Sequence, residues 1–364
     1  MPSNDPLQNW SRRRLLKLAG LATGSAAFSV ACKAGSSSES ASARVSGSSQ
    51  VQVGPAETPS TGVTRVVLIR QEDRAAGTHQ AIDLLQPTGL EGNSVFLKPN
   101  FNTADPAPAA TDPALLEALV RDLQNSSAGA ITIGDRSGMA DSRRAMESKG
   151  VFRLADRLGL RALVLDELER DQWLHVPAEG THWPQGYAFA RPALDAGAVV
   201  STCCLKTHRF GGQFTLSLKN TVGLVAKTLP GESHNYMGDL HSSPHQRRMI
   251  AEVNQAYSPA LVLLDGVEAF VNGGPDRGKV ARPNVILAGT DRVAVDVVGI
   301  ALLRLLGTTS AVARGSIWEL EQIQRAVELN LGVDRAEKIE IVTADAPGRA
   351  MADQIRRLMT SGSA

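Results

Sequence analysis

The stretch that decides the fold reads AVVSTCCLKTHRFGG at residues 198–212. Its first six residues have the length and composition of a buried strand, and basic side chains follow at once. No Asp or Glu occurs between Ala196 and Gly231, although four Lys and Arg residues do. A buried strand that ends in uncompensated positive charge is costly unless something negative lies there. A solvated basic loop is the alternative, and we expect an anion-binding site.

Apolar runs of strand length alternate with helical patterns along the rest of the chain. Asp112 followed by Pro113 is a typical helix start, with a capping side chain and a proline at the first helical position. Alternation of this kind indicates an α/β fold, a mostly parallel sheet with helices on both faces and its site at the carboxyl ends of the strands. The predicted strands are residues 66–69, 95–97, 131–133, 162–165, 198–203, 261–264, 285–288 and 339–341.

Several of these predicted strands end in a polar residue. Because the carboxyl ends of parallel strands meet at one edge of an open sheet, ligands bind in the crevice outside them. Asp135 is equally suited to capping the helix that follows it. The residues expected to meet in one cleft are Lys98, Asn100, Asp135, Lys206, His208 and Asp265, joined by Lys219 and Asn220.

The residue types in this cleft suggest separate roles. Lysine ammonium groups suit phosphate or carboxylate, and glycines let backbone N–H groups approach an anion closely. A buried lysine with a lowered pKa can also serve as a base or a Schiff-base amine. We assign catalytic roles to Lys206, His208 and Asp265. The predicted ligand-binding residues are Lys98, Asn100, Asp135, Thr207, Lys219, Asn220 and Gly274.

A metal-binding site is the second interpretation of the same cleft. Histidine and aspartate are ligands for hard or borderline metals, and the candidate set is His208, His241 and Asp265. His241 and His245 are spaced i, i+4, but Pro244 begins the predicted helix 244–257 between them. His241 is therefore expected in a loop that points into the cleft. The chain has three cysteines and no C-x-x-C run, so an iron–sulfur cluster is not expected.

The N-terminus is typical of an export signal. Residues 11–17, SRRRLLK, resemble a twin-arginine signal and precede a short apolar region. We predict a signal peptide over residues 1–31, a flexible tether over 32–62, the α/β domain over 63–346 and a tail over 347–364. Cys32 fits either ordinary cleavage or lipid attachment. The expected location is the periplasm or the outer face of the cytoplasmic membrane. The export machinery is then a partner, and the membrane is contacted only through the signal or a lipid on Cys32.

Charge argues against nucleic acid as a partner. The chain has 38 basic and 37 acidic residues, and removal of residues 1–31 takes away four basic residues and one acid. The remaining 34 basic and 36 acidic residues give a net charge of −2, far from a bulk polycation. Aromatic residues make up 4% of the chain, which is too few for an obvious base-stacking platform. The positive charge of residues 198–227 is therefore a local feature of the sequence and not part of an excess over the whole chain.

The motifs, taken in order, resemble the family known as domain of unknown function 362. The resemblance rests on Lys98-Pro99-Asn100, Thr111-Asp112-Pro113, Gly134-Asp135, Lys206-Thr207-His208, Ser217-Leu218-Lys219-Asn220 with Gly223, the His241 region, Asp265-Gly266, Gly274-Pro275 with Gly278, and Asp291 to Asp296. Some members look like iron–sulfur proteins because they carry an appended segment with cysteine runs. This sequence has no such run, so that property is not carried over.

Two functions fit these observations. The first is an exported enzyme that binds a phosphate- or carboxylate-bearing substrate or cofactor in a Lys/His/Asp cleft, with metal-assisted or redox chemistry left open. The second is a tethered binding or accessory protein that captures an anionic ligand or a metal without chemistry. We favour the enzyme.

Overall fold

The backbone is organised around one sheet whose strands run mostly parallel. The structure is a computed structural model and describes residues 62–360. The predicted signal peptide, nearly all of the predicted tether and Cys32 lie outside the described residues. The strands are β1 (Thr64–Arg70), β2 (Val95–Lys98), β3 (Ile131–Asp135), β4 (Arg161–Val164), β5 (Trp173–Val176), β6 (Tyr187–Ala190), β7 (Ala198–His208), β8 (Gln213–Thr215), β9 (Leu261–Gly273), β10 (Gly278–Ala281), β11 (Val285–Gly289) and β12 (Ile339–Thr343).

The order of strands confirms the predicted α/β fold. Along the path β12-β1-β11-β9-β7-β2-β3-β4, neighbours are parallel except at β11, which is antiparallel to both β1 and β9. Strands β8 and β10 extend β7 and β9 as antiparallel ribbons, and β5 and β6 form a separate hairpin. The parallel strands β2, β3 and β7 are adjacent, so their carboxyl ends share one edge of the sheet.

Helices cover both faces of the sheet. They are α1 (Arg74–Leu85), α2 (Pro113–Asn125), α3 (Ser142–Ser148), α4 (Val151–Leu158), α5 (Arg191–Leu194), α6 (Ser217–Asn220), α7 (Tyr236–Ser242), α8 (Gln246–Glu252), α9 (Arg292–Leu305), α10 (Ser310–Ala313), α11 (Glu321–Glu328) and α12 (Ala346–Thr360). One face packs against α9, α11 and α12, and the other packs against α1 to α4, because alternate residues of each strand point to opposite faces. Asp112 caps α2 as predicted and accepts a hydrogen bond from Ala114 N–H at 2.8 Å.

Two strands are longer than their apolar runs predict. β7 was expected to end at Cys203 but continues to His208, and β9 was expected to end before Asp265 but continues to Gly273. The extensions pair with each other and with β8 and β10, so backbone hydrogen bonds hold these polar residues in strand conformation. Polar side chains are compatible with a strand when its backbone is paired.

Two helical boundaries also differ from the prediction. His241 lies in α7 rather than in a loop, and His245 is the N-cap of the separate helix α8, so the two histidines do not share a helix. The packed fold continues past residue 346, because α12 buries Ala352, Ile355 and Met359 in the core. Within residues 62–360, no helix combines the length and the apolar character needed to cross a membrane.

Candidate functional site

A cavity lies at the carboxyl ends of β2, β3 and β7. The loop after β3, the hairpin β7–β8, helix α6 and helix α7 complete its walls. Its lining residues are Lys98, Asn100, Asn102, Asp135, Arg136, Gly138, Met139, Lys206, His208, Phe210, Thr215, Lys219, Asn220, Val222, Gly223, Met237, His241 and Pro275. This is the edge at which ligands bind in open α/β sheets.

A buried ion pair forms the floor of the cavity. Lys98 Nζ lies 2.6 Å from Asp135 Oδ1, and both side chains are almost fully buried. The carboxylate also accepts hydrogen bonds from the backbone N–H groups of Phe101 and Arg136, at 2.6 and 2.7 Å. Burial lowers the pKa of Lys98, and the negative charge of Asp135 opposes that shift. Gly223 leaves the room for this pair, since a Cβ there would lie 2.7 Å from both charged groups.

A network of amides joins the ion pair to the second buried lysine. Asn220 Oδ1 accepts from Lys98 Nζ at 3.2 Å and from Asn100 Nδ2 at 3.1 Å. Asn100 Oδ1 in turn accepts from Lys206 Nζ at 2.9 Å, and the carbonyl of Ala109 accepts from the same amine at 2.6 Å. Burial lowers the pKa of Lys206. Lys206 is thus engaged by neutral oxygens, and its role in the structure is to hold the 99–112 loop against β7.

Lys219 differs from the other two lysines because it has no partner within residues 62–360. It is 9% exposed, and no acceptor or carboxylate in that range is bonded to its amine. Burial lowers the pKa of Lys219 to about 8, and the positive charges of Arg136 and Lys206 add to the shift. An amine that titrates near neutral pH is suited to binding an anion and to exchanging a proton.

Helix α6 positions Lys219 and Asn220, and a buried carboxylate holds its first turn. Asp296, on α9, accepts from the N–H groups of Ser217 and Leu218 at 2.7 and 3.0 Å. Burial raises the pKa of Asp296 to about 7. Asp296 is therefore a positioning residue, because its contacts fix the backbone from which Lys219 projects.

Two histidines line the cavity beside Lys219. His208 Nδ1 is buried and has no hydrogen-bond partner within the described residues. Burial and the positive charges of Lys219 and Lys206 hold the pKa of His208 far below its usual range, so its ring is neutral. A Cβ on Gly212 would lie 3.0 Å from His208 Nδ1 and 3.2 Å from Lys219 Cε, which places the two side chains side by side.

His241 stands at the mouth of the cavity and remains accessible to solvent. Its Nδ1 lies 2.7 Å from the carbonyl of Met237 and donates to it, which leaves Nε2 as the acceptor. Partial burial lowers the pKa of His241, the bond to Met237 opposes the shift, and the charges of Lys219 and Arg136 add to it. The ring is therefore a neutral acceptor at physiological pH.

Three polar residues of the lining were missed by the sequence analysis. Arg136 is buried and donates to the carbonyls of Val225 and Val222, at 2.9 and 2.5 Å, rather than to a carboxylate. Asn102 Nδ2 and Thr215 Oγ1 are buried without a hydrogen-bond partner in the described residues. The sequence did contain a signal for Arg136, because this residue directly follows Asp135 at the end of a predicted strand. Asn102 and Thr215 have no comparable signal, since the loop after β2 and the pairing of β8 with β7 bring them to the cavity.

Three predicted site residues lie outside the cavity lining. Thr207 Oγ1 donates to the carbonyls of Phe270 and Gly273, at 3.1 and 3.3 Å, and so ties β7 to β9. Gly274 accepts from Arg209 Nη1 at 2.9 Å, and a Cβ on it would lie 1.9 Å from the Thr207 carbonyl. These two residues shape the wall behind Pro275 rather than facing a ligand.

Asp265 is the third residue outside the lining. It pairs with Cys204 of β7 and Ile286 of β11 in the interior of the sheet, and its Oδ2 accepts from Arg74 Nε at 2.8 Å. Because Arg74 begins α1, this carboxylate serves the contact between sheet and helix. Burial raises the pKa of Asp265, and Arg74 opposes the shift. The structure therefore does not bring Asp265 to His208.

The structure also does not bring the three predicted metal ligands together. His208 and His241 share the cavity, but Asp265 does not. In the described part of the chain, no three side chains of the His, Cys, Asp and Glu types are arranged to hold a metal ion. The cavity instead presents the predicted residues Lys98, Asn100, Asp135, Lys206, His208, Lys219, Asn220 and His241.

The chain is an α/β protein with a cavity of mainly cationic charge at the carboxyl edge of its sheet. The profile of the family described as domain of unknown function (DUF362) matches residues 95–301. That range is more than half of the chain, and the chain belongs to this family. Every residue that lines the cavity, from Lys98 to Pro275, falls inside it.

Two known proteins are similar to the chain. A thylakoid-associated protein of Synechocystis sp. is 26% identical over 258 residues, which cover 67% of this chain and 75% of the relative. The lactate racemase apoprotein of Thermoanaerobacterium thermosaccharolyticum matches in structure with a TM-score of 0.40 at 15% identity. That match covers 64% of this chain and 55% of the racemase chain.

The buried ion pair yields a prediction about stability. Lys98→Met leaves the Asp135 carboxylate without its counter-charge, so we expect a loss of about 3–5 kcal/mol in the free energy of unfolding. Adding Asp135→Asn removes the stranded charge, and the double variant should lose less than the sum of the two single variants. Guanidinium denaturation followed by circular dichroism measures all three.

Lys279→Met is the matched control for this series. Lys279 is exposed on β10, so its loss should change the free energy of unfolding by less than about 0.5 kcal/mol. Additive effects of Lys98→Met and Asp135→Asn would contradict the coupling that we derive from the 2.6 Å contact.

Proposed function

We propose that the chain is an enzyme that binds a small phosphate- or carboxylate-bearing molecule in this cavity and exchanges protons with it. The observation that carries the proposal is Lys219, a buried amine without an acceptor among residues 62–360. Burying an ammonium group is costly unless a negative charge compensates it. A bound anion supplies that compensation.

The charges of the cavity support the same proposal. Four basic side chains line it, namely Lys98, Lys206, Lys219 and Arg136, against the single carboxylate of Asp135. Asn102 Nδ2 and Thr215 Oγ1 add hydrogen-bond donors that are unused within the described residues. Anionic oxygens are the groups that satisfy such a set, because each accepts several charge-assisted hydrogen bonds.

Proton exchange rests on the groups beside the proposed anion. Lys219 has a pKa of about 8, which leaves it close to the balance point between acid and base at neutral pH. The neutral rings of His208 and His241 border the same space and can accept hydrogen bonds from a protonated group of the ligand. A binding protein needs only the positive charge, whereas an enzyme uses the exchangeable proton as well.

Sulfate affinity tests the anion site, because sulfate keeps its charge between pH 7 and 10. We expect calorimetric titration to show binding at pH 7 that weakens about tenfold per pH unit above about 8, where Lys219 loses its proton. Lys219→Met should abolish binding. Lys219→Arg should bind without this pH dependence, since a guanidinium stays charged. Affinity that is unchanged in Lys219→Met would reject the site.

The same arginine variant separates an enzyme from a binding protein. Small carboxylates and phosphate monoesters are screened with the wild-type protein in D₂O, and proton NMR follows conversion or exchange of their carbon-bound hydrogens. We expect wild type to alter a bound compound. We expect Lys219→Arg to bind that compound unaltered, because a guanidinium group stays protonated at this pH and cannot act as a base. A compound that wild type binds and never alters would favour the tethered binding protein.

We further propose that the protein is exported through the twin-arginine route and acts in the periplasm or at the outer face of the cytoplasmic membrane. The support is the SRRRLLK motif at residues 11–17 and the apolar region behind it. Lipid attachment at Cys32 is open within this proposal.

Export is tested by cell fractionation in a bacterial host that has the twin-arginine machinery. The double variant Arg12→Lys/Arg13→Lys keeps the charge but removes the arginine pair, so we expect uncleaved protein to accumulate in the cytoplasm. Arg14→Lys, next to the pair, is the control and should be exported normally. Export of the double variant at the wild-type level would contradict this route.

A further inference from the structure

The lining of the cavity also includes apolar residues that the proposed anion site does not use. These residues are contributed by different segments: the loop after β3, the β7–β8 turn, the 3₁₀ turn after α6, helix α7 and the loop after β9. They are Met139, Phe210, Val222, Met237 and Pro275.

Two of these side chains are exposed to an unusual degree. Met139 is 49% exposed and Phe210 is 47% exposed, and only two other large hydrophobic residues among residues 62–360, Val63 and Val280, are similarly exposed. Isolated exposed hydrophobic residues are ordinary, but Met139 and Phe210 both line the same cavity and add apolar surface to it. The mouth of the cavity therefore presents apolar area to whatever enters.

The apolar residues adjoin the polar ones directly. The Phe210 ring meets the His208 ring edge-on, with their centroids 5.8 Å apart. Met139 N–H donates to the carbonyl of Asn102 at 3.1 Å, and the sulfur of Met237 lies 3.2 Å from Arg136 Nη2. Phe210 and Met139, which line the cavity and are exposed, thus form an apolar rim next to its polar residues.

The lining of the cavity agrees with a ligand of two parts. Its basic side chains, Lys219 among them, suit an anionic group, whereas Met139 and Phe210 offer apolar contact. A molecule with an anionic end and a hydrocarbon or ring portion would occupy both the interior and the rim.

We infer that the ligand is an amphipathic anion, with its charged oxygens beside Lys219 and its apolar portion against Phe210 and Met139. This inference rests on the proposed anion site and names the class of molecule that the site accepts. The apolar contact would provide affinity through area removed from water, while the charge provides orientation.

Monoalkyl sulfates test the inference, since all carry one charge and differ only in chain length. Calorimetric titration of the protein with methyl, ethyl, butyl and hexyl sulfate should show affinity rising about two- to fourfold per methylene group. Phe210→Ser/Met139→Gln should flatten that rise and leave inorganic sulfate affinity unchanged. Both side chains are exposed, so the double variant is expected to fold normally.

Val280→Ser is the matched control, because Val280 is equally exposed on β10 and does not line the cavity. It should keep the wild-type dependence on chain length. If sulfate binds and longer chains bind no more tightly, the amphipathic ligand is rejected while the anion site stands. A rise that persists in the Phe210/Met139 double variant rejects the apolar rim. Failure of every sulfate to bind rejects the proposed function itself.

Discussion

The buried contact between Lys98 and Asp135 is the interaction on which the rest of the site depends. It joins the ends of two adjacent parallel strands at a point where both side chains are almost fully buried. The carboxylate orders the chain after both strands by accepting N–H bonds from Phe101 and Arg136. The ammonium group meets Asn220, and through it helix α6 is fixed against the sheet. This pair therefore holds together the chain segments that form the base of the cavity.

The three lysines of the cavity show how the same residue type is given different tasks. Lys98 has a carboxylate, Lys206 has two neutral oxygens, and Lys219 has no partner within residues 62–360. The first two amines are occupied by the protein and stabilise its loops. Lys219 is available to a ligand, and its surroundings bring its pKa to about 8. Function is thus inferred from the charge that the fold leaves uncompensated.

Asp265 shows where reasoning from strand ends stops being sufficient. It follows an apolar run just as Asp135 does, yet β9 continues past it to Gly273 and its side chain binds Arg74 of α1. The difference arises because β8, β10 and the ends of β7 and β9 pair beyond the body of the sheet. The pairing of β7 with β9 joins residues far apart in the sequence, and β8 and β10 are short strands without an apolar run, so apolar runs do not report these contacts. Asn102 and Thr215 were missed for a related reason, since the loop after β2 and the pairing of β8 with β7 bring them to the cavity.

The sequence by itself determined the α/β class, the edge of the sheet that carries the cavity and eight of its lining residues, including Lys98, His208 and Lys219. It could do so because hydrophobic periodicity and strand direction are local properties that place strand ends together. Only the tertiary structure decided which charges are paired, which polar atoms are left free and which hydrophobic side chains stay exposed at the mouth. Those outcomes depend on the distances between side chains from distant segments, and the order of residues along the chain does not contain them.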